Sequence, residues 1–165
     1  MKLLRPVIAL AAGGAAFVVA ASPALAQSGH FIEQGAGAPV CTDIGLQVSC
    51  TGKVSGLGGT TFEITVSAAG IASVECENPG GNVAPGQDTA IDVAGTSGPQ
   101  PTPRNGQFVF DNPPITTASP EPLPPTPTCP NEQWIPHITD VSFTTATLTL
   151  LEDGVVSDTV TVPVG

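Results

Sequence analysis

The chain contains no tyrosine, one tryptophan and only four basic residues. So little lysine and arginine gives nucleic acid or an anionic membrane no electrostatic footing. Lys2 and Arg5 precede an apolar stretch, so the part from Gln27 onward carries Lys53 and Arg104 against all fourteen acids, a formal charge of −12. Such an excess keeps an exported protein soluble; cation binding is the sharper alternative. There is no Cys-x-x-Cys pair, and His30 and His137 are the only histidines, which removes the usual zinc patterns. The glycine-flanked serines, Ser55 and Ser97, lack the Gly-x-Ser-x-Gly elbow of a hydrolase. No Asp-x-Asp-x-Asp-Gly calcium loop occurs. The expectation is a non-enzymatic protein without a cofactor.

What is there begins with an export signal. Lys2 and Arg5 form a basic start, Val7 to Ala21 carry no charge, and Ala24-Leu25-Ala26 is a small-x-small cleavage site. The apolar run is interrupted by Gly13 and Gly14 and is shorter than the ~20 residues that span a bilayer. Residues 1–26 are therefore expected to be a cleaved signal peptide and 27–165 a single secreted domain. The exterior or the cell wall is its expected location.

Cys41, Cys50, Cys76 and Cys129 all lie in that domain, and four cysteines in an oxidising compartment predict two disulfides. Three pairings are possible. The turn-prone Asp43 to Gly45 favours Cys41 with Cys50, which leaves Cys76 with Cys129.

No window beyond residue 27 has a helical apolar period. Short runs of threonine, valine, isoleucine and phenylalanine alternate with glycine and proline instead. Leu46, Val48, Cys50 and Val54 share one parity, as do Phe62, Ile64 and Val66. Ala72, Val74 and Cys76 follow after a break at Ala69-Gly70, which reads as a three-strand meander. Thr89, Ile91 and Val93 mark another strand, and Phe108 and Phe110 a short one with core aromatics. From Pro113 to Pro130, eight of eighteen residues are proline, so this stretch cannot join a central strand and reads as an extended, tethered crossover. Ile138 to Leu151 and Val155 to Val162 form a hairpin. A three-residue loop there sets Val156 opposite Leu150 and Val160 opposite Ala146, with Asp158 on the apolar face near Leu148. About seven strands with regular turns predict an all-β, antiparallel two-sheet sandwich of immunoglobulin-like kind, with a small β-barrel as the alternative.

Trp134 and His137, side by side ahead of the hairpin, are the candidates for partner binding, by an extracellular protein or a glycan. Asp88 with Asp92 on one strand face, and Glu152 with Asp153 at the hairpin tip, read as solvated acids with calcium as the sharper alternative. A disulfide-anchored proline loop at 113–130 would also suit a secreted protease inhibitor.

Val48 to Gly58, Cys76 to Gln87, and Cys129-Pro130-Asn131 through Trp134 with Ile138 to Thr144 resemble blocks in a group of short exported bacterial proteins of no established function. The resemblance implies a secreted bacterial protein. It carries over no activity and no site residue.

Overall fold

The structure, a computed structural model, describes residues 28–165. The expected signal peptide and Gln27 lie outside the described residues. The chain opens with β1 (His30–Phe31), β2 (Val40–Asp43), β3 (Val48–Thr51), β4 (Lys53–Ser55), β5 (Thr61–Glu77) and β6 (Val83–Pro85). It continues through β7 (Thr89–Thr96), β8 (Gln100–Pro101), β9 (Phe108–Val109) and β10 (Ile115–Thr116), and a single helical turn, α1 (Pro125–Thr128), follows. The long hairpin of β11 (Ile135–Glu152) and β12 (Val155–Pro163) ends it.

Two antiparallel layers result. One is a six-stranded sheet ordered β12-β11-β5-β6, with β7 and β8 also paired to β5. The other consists of two three-stranded ladders, β1-β4-β9 and β10-β3-β2, which run end to end because only Gly52 separates β3 from β4. Taken as continuous paths, seven strands fall into layers one-two-five and seven-six-three-four. This is an immunoglobulin-like sandwich with its fourth strand beside the third, as C′ lies in variable-type domains. The sheets do not close into a barrel.

Period-2 alternation builds the core, because successive side chains of a strand face opposite sides. Val48, Cys50, Val54 and Phe110 bury from one layer, and Phe62, Ile64, Val66, Leu148 and Leu150 from the other. Phe62 and Phe108 meet across the layers in a tilted pair, with ring centroids 4.9 Å apart and planes at 55°. Such a pair adds about 1 kcal/mol beyond its buried area.

Three expectations change. First, β5 is one strand of 17 residues, with no turn at Ala69-Gly70, because every second residue from Phe62 to Cys76 is buried without a change of phase. Gly70 marks a close approach and not a break: it pairs with Phe143 of β11, and a Cβ there would lie 2.6 Å from Val141 Cγ1 and 2.8 Å from Phe143 Cδ1. Second, the hairpin loop has two residues, since Glu152 pairs with Val155. Asp153 and Gly154 both take positive φ, 49° and 81°, as a type I′ turn requires. A bulge then follows, so that Leu151 faces Val156, Leu150 faces Asp158, and Leu148 faces Val160. The bulge turns Ser157 inward, and Asp158 meets the first strand instead of Leu148. Third, the proline-rich stretch enters the sheet at its start, where Ile115 and Thr116 pair with Cys50 and Ser49 as an edge strand.

Candidate functional site

Both disulfides form as the spacing favoured: Cys41 with Cys50, directly opposite in the β2–β3 ladder, and Cys76 with Cys129. The second fastens the end of the proline-rich crossover to the end of β5. That crossover does not project. Thr117 and Thr128 are buried, Leu123 packs on the core, and Gln87 N–H donates to Thr128 O at 2.9 Å.

Trp134 is half-buried against the core edge. His137, half-exposed on β11, lies with Nε2 3.4 Å from Glu77 Oε2. His30 belongs to the other end of the molecule, where its Nε2 is 3.1 Å from Ser55 Oγ and its Nδ1 3.0 Å from Ser28 O. Glu152 pairs with Phe62 and His137 with Glu75, so these ends are about 40 Å apart along β5. His30 has a serine as partner and His137 a carboxylate, and among the described residues no hydrogen bond or ion pair joins a histidine to both. Asp88 and Asp92 are exposed. Among the described residues, no group of three or more His, Cys, Asp or Glu side chains could hold a metal ion.

The hairpin tip departs furthest from the sequence reading. Glu152 is fully buried, where solvated turn acids were expected. Its Oε1 accepts from Gly58 N at 2.7 Å and Gly59 N at 3.2 Å, and its Oε2 from Gly29 N at 3.0 Å and Ser157 Oγ at 2.8 Å. Burial pushes this carboxyl up, but the bonds from Gly58, Ser157, Gly29 and Gly59 together outweigh it and hold the carboxyl below the usual range. Asp153 is exposed and gathers the Thr60 hydroxyl at 2.6 Å with the N–H groups of Thr60 and Thr61. Those bonds lower it to about 2, the Thr60 hydroxyl contributing most. Donors from the Gly58–Thr61 turn thus surround both acids. A cation would meet N–H groups there and not open oxygens, so the arrangement fastens a loop to the hairpin.

A concavity lies at the edge of the sandwich, where the end of β7 and β8 face β9 and β10. It has a volume of about 480 Å³. Thr96, Ser97 and Gln100 form one wall; Phe108, Phe110 and Ile115 put core surface at the floor. Val109 sits opposite Lys53 while Phe110 N–H donates to Gly52 O, so the Val109 N–H and C=O point away from β4 along the free edge. Above the groove the layers do meet: Ala118 N donates to Ala94 O at 2.8 Å. Gly95 allows that approach, since a Cβ there would collide with the Thr116 carbonyl and lie 2.8 Å from Thr117 Cα.

Sequence reading missed this groove because it needs the register of four separated segments. The one local signal was the proline spacing, with Pro99, Pro101 and Pro103 on one segment and Pro113 and Pro114 on another, since proline has no N–H to pair two edges. No protein-family model, curated protein or solved structure matches the chain.

Proposed function

We propose that this chain is an exported, non-enzymatic β-sandwich that works at the cell exterior, or in the cell wall, by binding through its loops and sheet edges. The observation that carries this reading is the pair of buried disulfides, which leaves no free cysteine among the described residues. Complete pairing of this kind belongs to an oxidising compartment. The basic start, apolar run and Ala24-Leu25-Ala26 agree with it, as does the bacterial group whose blocks the chain resembles. No helix among the described residues is long and apolar enough to cross a membrane. Glycans and proteins of the exterior are the partner classes for such a surface.

The test is fractionation of a bacterial culture producing the full chain with a carboxy-terminal tag. The expected product is in the medium or wall, begins at Gln27, and shifts on a gel only after reduction. An uncleaved, reduced chain in the cytoplasm would overturn the reading.

A further inference from the structure

We propose that the groove between β8 and β9 is a binding site for an uncharged small molecule with a flat apolar body and hydrogen-bonding groups at its edge. This deepens the reading of the chain as a binding protein and rests on it. None of the eleven residues lining the groove is ionisable, in a domain that carries fourteen acids elsewhere. An anion entering would meet the field of the acidic surface and no counter-charge. A cation would lose water without gaining a carboxylate. A neutral ligand has neither cost.

The groove suits such a ligand in chemistry and in size. Its floor is apolar and aromatic, with Phe108 half-buried and Phe110 and Ile115 belonging to the core. Hydrogen-bonding groups stand at its sides: the Gln100 and Asn112 amides and the outward N–H and C=O of Val109. The Thr96 and Ser97 hydroxyls are already engaged, Thr96 donating to Glu63 and Ser97 to Gly98 O, so they shape the wall and do not face a ligand as free donors. About 480 Å³ falls in the ~300–1,000 Å³ range of small-molecule sites, which pair apolar walls with a few placed polar groups. The walls are also pre-organised. Gln100 Nε2 donates to Ser97 O at 3.3 Å, and Ser97 Oγ accepts from Ile64 N at 3.0 Å, which fixes one side. Pro113 and Pro114 stiffen the other.

The test uses two dyes of one ring system on the oxidised, exported protein: neutral N-phenyl-1-naphthylamine and anionic 8-anilinonaphthalene-1-sulfonate. The neutral dye is expected to titrate to one saturable site with Kd on the order of 10–100 μM, and the sulfonate to bind at least about tenfold more weakly. Asn112→Asp places one carboxylate at the exposed rim with almost no change of shape. It should weaken the neutral dye about tenfold while the melting temperature holds. No binding of the neutral dye, equal binding of both dyes, or an unaltered titration in Asn112→Asp would each overturn the proposal. If Asn112→Asp does not fold, Gln100→Glu on the facing wall serves instead, with the same outcomes. Failure of the dyes on a cleaved, oxidised protein leaves the export reading standing. A cytoplasmic, reduced chain overturns that reading whatever the dyes do.

Discussion

The two sides of the sandwich are closed by different means. Where β12 passes the first strand, main chain and carboxylates join the layers. Gly165 N donates to Cys41 O, Asp43 N donates to Gly165 O, Phe31 N donates to Asp158 at 2.8 Å, and Glu152 takes Gly29 N. On the other side the layers meet at Ala94 and Ala118 and then part around the groove, where Pro113 and Pro114 line one rim and Gln100, between Pro99 and Pro101, lines the other. The contrast is one of donors. An edge that keeps its N–H groups can be sealed by a neighbouring strand or a carboxylate, whereas the β8 edge, with its alternate prolines, offers no N–H of its own, and the outward Val109 N–H opposite it finds no partner strand among the described residues. The closed side suits stability, and the open one is free to bind.

The largest break in this contrast should come from the crossover that leaves the open side. Replacing Cys76 and Cys129 by serine frees a loop of 53 residues. About 4 kcal/mol of stability should be lost in the chain-entropy picture, read from urea unfolding of the oxidised proteins. On the closed side, Glu152→Ala leaves the backbone N–H groups of Gly29, Gly58 and Gly59 without their acceptor, at a cost of about 3 kcal/mol in the same assay. Gly95→Ala acts where the open side is pinched shut, and overpacking against Thr116 should cost about 2 kcal/mol.

Acid should loosen the closed side first. Glu152 and Asp153 both have folded-state pKa values below their ordinary ones, so their contribution is complete above about pH 5. It is lost as pH falls through about 4 toward 2, and Asp153→Asn should flatten the lower part of that fall in a pH series of unfolding curves. The smallest effect belongs to His137→Ala. Its contact with Glu77 is exposed, and stability should change by less than about 0.5 kcal/mol.

Much of this architecture is written in parity. The even positions from Phe62 to Cys76 and from Ala146 to Leu150 carry the core; turn chemistry favours Cys41 with Cys50, and Cys76 with Cys129 is what remains. Glu152 continues the even series of Ala146, Leu148 and Leu150, so its burial was legible too. The competing cue, an acid beside Asp-Gly in a turn, hid it. The bulge after the hairpin was not legible, because a two-residue loop and a shifted register can be distinguished only once Ser157 and Asp158 find Gly29 and Phe31. Ala69-Gly70 reads locally as a turn, and only Val141 and Phe143 of a strand distant in sequence, packed over Gly70, show why a glycine stands within β5. The groove lay furthest from the sequence, since it exists between strands that never pair.

Amide hydrogen exchange on the oxidised protein tests the difference between the two sides directly. The N–H groups of Gly29, Phe31, Gly58 and Asp43 on the closed side should exchange slowly, and that of Val109 fast. Adding N-phenyl-1-naphthylamine should slow exchange across Phe108–Thr116 and leave the closed side unchanged. Equal protection of the two sides without the dye, or slowing spread evenly over the molecule with it, would contradict the account.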